Sequence, residues 1–264
     1  MSVRLSTPSD YTGLIDKYET WMFDCDGVLW QGDKLIDGAV DKNVLFVTNN
    51  ATKTKFIGSA YATAVYISSK VYVIGMAGLE EELRDEGVAY IGGTDPADKT
   101  LEPFSLEHFT LDPDVSAVIC GLDTSINYTK LSKAFQYLTR NSGCRFIVTN
   151  EDSTYPSAHG LLPGAGAISA PLRYALGKDP ISIGKPAKTM LDCIKAKVHF
   201  DPAKTIMVGD RLNTDILFGQ AGGVSTLLVL TGITSESDIT GTNASTIIPD
   251  FVTASIGDLR SAGP

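Results

Sequence analysis

Short apolar runs recur along the chain, each closed by glycine or a polar cluster, and they alternate with amphipathic stretches. The runs at 21–24, 44–47, 71–75, 88–91, 117–121, 145–150, 181–184, 205–208 and 226–230 are predicted strands. Brief, continuously apolar segments between turn signals fit strands buried on both faces. Helical spacing of apolar positions predicts helices over 11–18, 79–86, 128–141, 168–176, 189–198 and 213–221, with a last one starting near Ile256. A small hairpin is expected over 28–37, a long loop over 94–114, a turn-rich stretch over 151–166 and a short strand near Ile247-Ile248. Residues 1–10 read as polar and loose. Strand and helix in alternation predict an α/β protein with a mostly parallel sheet.

One run breaks its own pattern. Trp21-Met22-Phe23 is buried-strand sequence, yet Asp24-Cys25-Asp26-Gly27 follows at once. Side chains alternate along an extended chain, so Asp24 and Asp26 start on one side. Two carboxylates that close are costly unless a cation or a shared proton relieves them. The glycine lets the backbone fold tightly against whatever they hold. A metal-assisted phosphoryl site satisfies these demands; a turn in which the aspartates bond local amides satisfies them too.

Bulk properties narrow the classes. The 264 residues allow one or two domains, and 43% hydrophobic with 20% charged residues describe a globular protein with a sizeable core. A net charge of −9 argues against a nucleic-acid or anionic-membrane surface as the main partner. Cys25, Cys120, Cys144 and Cys193 form no C-x-x-C pair, which favours reduced thiols in a cytoplasmic or nuclear protein. No apolar run reaches the length of a membrane span, and no signal-peptide pattern opens the chain.

Three further strand ends carry polar groups: Thr48-Asn49-Asn50, Gly184-Lys185-Pro186, and Gly209-Asp210 with Asp215 five residues on. Ligands of open parallel sheets bind beyond the carboxyl ends of the strands. Each group alone has a plain structural reading as a turn, a solvated lysine or a helix cap. Together, in this order, they point to one phosphoryl site. His159 reads as surface, and Cys25 as a small buried hydrophobe.

These strings, with Phe46-Val47-Thr48-Asn49-Asn50 and Pro163-Gly164-Ala165-Gly166, resemble the haloacid dehalogenase superfamily of aspartate-nucleophile phosphatases. Within it they are most similar to the eukaryotic family of 4-nitrophenylphosphatase, phosphoglycolate phosphatase and pyridoxal phosphatase, fungal members in particular. The resemblance implies a Rossmann-like parallel-sheet core over 1–70 and 182–264, with an inserted α/β cap over 71–181. It implies Asp24 as nucleophile and Asp26 as acid and base. Mg2+ would sit on Asp24, Asp26 and Asp210, with Asp215 orienting that shell. Thr48, Asn49, Asn50 and Lys185 would hold the phosphoryl oxygens, and Tyr155 of the cap would read the substrate. The expected reaction is hydrolysis of small phosphorylated metabolites, 2-phosphoglycolate first and pyridoxal phosphate as the alternative. A phosphomutase or a non-catalytic regulatory protein on the same fold ranks lower. No nucleic-acid or membrane partner is expected, and a homodimer through the cap is.

Three joins look too short for this fold. Parallel neighbours need a crossover of about a dozen residues, and five residues separate Gly38 from Val44. We therefore read the numbering as closing over segments near 40–43, 53–57 and 68–71.

Overall fold

The computed structural model describes residues 2–31, 34–35, 43–49, 57–99, 104–157, 159–242 and 244–262. Packing divides the chain into two units. The first comprises 1–48, 156–160 and 185–264; the second comprises 49–155 and 161–184. We retain the 1–70, 71–181 and 182–264 division as our proposal for the domains. Of the joins near 40–43 and 53–57, residues 40–42 and 53–56 lie outside the described residues. At the third join, residues 67–70 link the helix Ser59–Tyr66 to the strand Val71–Ile74, an ordinary length for such a loop.

In the first unit the strands lie in the order Val3–Arg4, Phe251–Thr253, Ser225–Val229, Thr205–Gly209, Thr20–Phe23 and Asn43–Thr48. All neighbours are parallel, with Phe23 level with Val208 on one side and Phe46 on the other. The register puts the C-terminal ends of the central strands side by side. Ile206, Met207, Val208, Leu227, Leu228 and Val229 are fully buried, as expected where helices cover both faces of a parallel sheet. Trp21, Phe23, Ile206, Val208, Leu227 and Val229 join Tyr11 and Leu14 of the helix Pro8–Lys17 in one core layer. Leu228 and Val252 pack on the other face against Leu212 and Ile216.

Two expectations need correction here. The stretch expected to be loose is ordered over residues 3–10: Val3–Arg4 pairs with Phe251 and Val252, and Thr7 closes a capping box with Asp10 at the helix start, a device that stabilises a helix by about 1 kcal/mol. The strand expected at Ile247-Ile248 lies at Phe251–Thr253 instead. Asp250 fixes that register, because its carboxylate accepts from the N–H and hydroxyl of Thr226, both at 2.9 Å.

The second unit is itself α/β. Its strands run Ile181–Ser182, Arg145–Val148, Ala117–Cys120, Val71–Ile74 and Tyr90–Gly92, all parallel. The helix Tyr128–Arg140 starts at Asn127, whose side chain caps the Lys130 N–H at 3.0 Å, and it buries Ala134 and Tyr137 against Tyr72 and Val118. Lys130 is buried with it, and its charge is met by Asp123 at 2.6 Å. Thus a parallel-sheet α/β core carries an inserted α/β unit; the alternation of elements predicted the α/β class, and the family resemblance implied the insertion.

Candidate active site

The first unit gathers its polar groups at four adjacent strand ends. Asp24 follows the strand Thr20–Phe23 and donates its N–H to Val208 O at 2.9 Å. Thr48 closes Asn43–Thr48, Asp210 follows Thr205–Gly209, and Thr231 follows Ser225–Val229 after one residue. Lys185 enters from the chain behind a cis peptide to Pro186. Its side chain is buried, and its ammonium lies 2.5 Å from Asp24 Oδ1, 2.8 Å from Asp215 Oδ1 and 2.9 Å from Val47 O. Burial opposes that charge, but Asp215 and Asp24 outweigh it and hold the ammonium well above its ordinary range.

Asp215 reaches this group through a wide helical turn. Residues Leu212–Ile216 bond five apart, with Ile216 N–H on Arg211 O at 3.3 Å; such turns recur at functional sites. Gly209 makes the approach feasible, since a Cβ there would overlap the Asp215 side chain. Asp215 Oδ2 accepts from the Arg211 N–H at 3.2 Å. Its Oδ1 is buried and meets Lys185 as a charge contact, without an aligned hydrogen bond.

Asp210 is buried and held from its far side. Its Oδ2 accepts from the Ile233 N–H at 2.6 Å, and its carbonyl accepts from the Thr234 N–H at 3.0 Å. Burial and the neighbouring Asp215 push its carboxyl up to about 6, against the pull of Ile233 N–H, Arg211 and Lys185. Asp24 is pushed well above the carboxylate range by burial, with Asp215 and Asp210 adding to the effect and Lys185 opposing it.

Oxygens of Asp24, Asp210 and Asp215 all lie within 4.8 Å of one another. Three buried carboxylates face one ammonium, so negative charge is in excess, and buried unbalanced charge is costly. An all-oxygen set at this spacing suits a hard divalent cation such as Mg2+ or Ca2+. The buried Asp215 Oδ1, which has no aligned donor, fits such an ion as well.

Asp26 is half-buried beside this group in sequence, and Thr48 is buried. Asn49 belongs to the second unit, where its amide donates to Asp152 Oδ2 at 3.0 Å. Asn150 donates to the same oxygen at 2.9 Å. Asn50 lies outside the described residues. Tyr155 is half-buried in the strand Thr154–Ser157 of the turn-rich stretch. Cys25 is buried in the core layer and His159 is exposed, as expected. The Thr231-Gly232-Ile233 turn was not singled out as chemistry in the sequence. The available signal was its place, a fourth polar glycine turn directly after an apolar strand.

A family profile described as HAD-hydrolase-like matches residues 182–259. The chain is 40% identical to a 4-nitrophenylphosphatase of Schizosaccharomyces pombe, with 98% of this chain and 99% of the relative aligned.

The chain belongs to the haloacid dehalogenase superfamily of phosphatases.

The phosphatase is also 37% identical to phosphoglycolate phosphatase 2 of Arabidopsis thaliana, over 98% of both chains. A human glycerol-3-phosphate phosphatase is 34% identical, over 98% of this chain and 95% of the relative. The first of these alignments runs over 296 positions, more than the 264 residues of the phosphatase, so that relative carries segments this chain lacks. Among solved structures, the 4-nitrophenylphosphatase of Thermotoga maritima matches with a TM-score of 0.76 and 26% identity, over 93% of this chain and 97% of that one. A glycerol phosphate phosphatase of Mycobacterium tuberculosis in complex with magnesium matches with a TM-score of 0.75 and 27% identity, over 93% and 77%. Among the described residues of the phosphatase, no helix is long and apolar enough to cross a membrane.

Proposed function

We propose that this phosphatase hydrolyses small phosphomonoesters with Mg2+ through an aspartyl-phosphate on Asp24, and that 2-phosphoglycolate is its substrate. The observation that carries the reading is the charge balance of the site. One ammonium, Lys185, bridges Asp24 and Asp215, while Asp210 completes a carboxylate group that needs a divalent cation.

In this reading an Asp24 oxygen attacks phosphorus and the bond to the leaving oxygen breaks. Asp26 gives that oxygen a proton. Asp26 then takes a proton from water as the water attacks phosphorus, and the bond from phosphorus to Asp24 breaks to release inorganic phosphate. Lys185 holds Asp24 Oδ1 at 2.5 Å, which aims the carboxylate and favours its charged form. Thr48, Asn49, Asn50 and Lys185 hold the phosphoryl oxygens and stabilise the charge that builds on them. The Asp24 carboxylate, the Asp26 backbone carbonyl and Asp210 hold Mg2+, and Asp215 orients the shell. The ion supplies neutralisation of the phosphoryl oxygens.

The core handles only phosphoryl group and metal, so selectivity falls to the inserted unit, with Tyr155 as the reading residue. Its ring and single hydroxyl suit a short phosphoacid. The relative named for phosphoglycolate supports that substrate. The human relative supports glycerol 3-phosphate as a second reading. A cytoplasmic protein and a homodimer through the inserted unit belong to the same proposal, the latter open to light scattering. The test is kcat/KM for 2-phosphoglycolate, glycerol 3-phosphate, pyridoxal phosphate and 4-nitrophenyl phosphate, each with Mg2+ and with chelator. A clear preference for 2-phosphoglycolate, lost on chelation, supports the reading. Full turnover in chelator refutes the metal role, and preference for another ester refutes the substrate.

A further inference from the structure

The turn after the fourth strand touches the site in more ways than a connection requires. Ile233 N–H donates to Asp210 Oδ2 at 2.6 Å, and Thr234 N–H donates to Asp210 O at 3.0 Å. Thr231 Oγ1 donates to Gly27 O at 2.5 Å. Two glycines make room for this. A Cβ on Gly232 would overlap Asp210 Oδ2, and one on Gly27 would lie 2.7 Å from that oxygen and 3.0 Å from Gly232 Cα. Gly27 also sits at φ +82°, a left-handed conformation that other residues resist. One three-residue turn therefore grips the strand-end loop of Asp24 and Asp26 and the carboxylate of Asp210 together.

We propose that Thr231-Gly232-Ile233 is a positioning segment that fixes which oxygen of Asp210 is offered to the divalent cation, and that locks Asp210 in register with the Asp24–Gly27 loop. This rests on the reading of Asp210 as a metal ligand. With Oδ2 committed to a main-chain donor, the carboxylate cannot rotate freely, and Oδ1 is the oxygen presented. A main-chain donor suits the task because its position is set by the fold. Thr231 carries the second half of the lock, since its hydroxyl prevents the Gly27 carbonyl from drifting away from Asp210. None of these three residues needs to touch substrate.

Two variants separate the halves. Ile233→Pro deletes the N–H at a position whose side chain is exposed, so losing the isoleucine itself removes little packing; Thr231→Val keeps the shape and deletes the hydroxyl. The readout is Mg2+ binding itself, followed as the rise of the unfolding temperature with Mg2+ concentration from a chelator-stripped start. Loss of such an outer hydrogen bond typically weakens metal affinity about 10- to 100-fold. We expect a shift of that size for Ile233→Pro and a smaller one for Thr231→Val, with Thr231→Ser restoring the wild-type curve. A merely structural role would lower the metal-free unfolding temperature and leave the Mg2+ concentration dependence unchanged. Wild-type Mg2+ curves in Thr231→Val and Ile233→Pro, with the curve lost in Asp210→Ala, overturn the positioning role alone. A wild-type curve in Asp210→Ala overturns the ligand assignment beneath it. Should Ile233→Pro not fold, the Thr231→Val and Thr231→Ser pair decides: a curve unchanged by Thr231→Val overturns the lock.

Discussion

Asp210 turns the charge balance of the site into a stability measurement. Its carboxyl is pushed from an ordinary value of 3.8 up to about 6 by burial and by Asp215. A carboxylate whose folded value is raised binds its proton more tightly folded than unfolded. It therefore adds stability below its unfolded value, and that stability disappears as pH rises through about 6. The linkage relation gives a loss of about 2 kcal/mol between pH 4.5 and 7.5. For a chain of this size that equals a fall of about 4–8 °C in unfolding temperature. Other carboxylates titrate over the same range, so the assay compares wild type with Asp210→Asn in chelator across that pH window. The amide retains an oxygen for Ile233 N–H but does not titrate. The gap should move by about 2 kcal/mol in favour of Asp210→Asn as pH rises, and the relief of Asp24, also raised by Asp210, adds in the same direction. Saturating Mg2+ should reverse the trend, because only wild type keeps the full ligand set; a hundredfold excess over Kd is worth about 2.7 kcal/mol. Parallel pH curves for the two proteins in chelator, or a gap that moves the other way, refute the charge-balance reasoning.

Three other outcomes follow from the same geometry. Lys185→Met should lower kcat/KM for 4-nitrophenyl phosphate by about 10²–10³, because Asp24 and Asp215 lose the ammonium they share; a loss under threefold would remove Lys185 from the site. Asp26→Asn should impair alkyl phosphates far more than 4-nitrophenyl phosphate, whose leaving group needs less proton donation; equal losses on the two would undercut the general-acid role. Burial and Asp24 push the Cys25 thiol up to about 12, so iodoacetamide at pH 8 should leave Cys25 unmodified in the folded protein; peptide mass spectrometry showing Cys25 alkylated as fast as Cys193 would contradict its placement in the core.

Much of the fold was legible because its strands are short apolar runs closed by polar turns, and the helices between them repeat at helical spacing. What hid from the sequence was made by distant partners. Val3–Arg4 has no strand signal of its own and becomes a strand only against Phe251 and Val252. Ile247-Ile248 carries the stronger apolar signal, yet Ile248 is exposed and the strand starts after Asp250, where Thr226 pins the chain. Asp24, Asp210 and Lys185 were legible because charged residues interrupt buried strands at their ends. The direct meeting of Asp215 with Lys185 depends on a five-apart helical turn that no spacing rule announces. Ile233 was invisible for a simpler reason: it acts through its main-chain N–H, which every residue but proline possesses.

The central claim is that Asp24 carries the phosphoryl group, and trapping that adduct tests it most directly. Wild-type protein would be mixed with excess 2-phosphoglycolate and Mg2+, quenched in acid within the first turnover, and digested for peptide mass spectrometry. The account predicts a phosphoryl group on the peptide containing Asp24, convertible by borohydride to the reduced side chain, and its absence in Asp24→Asn. A phosphoryl group on another residue, or the same adduct in Asp24→Asn, would contradict it.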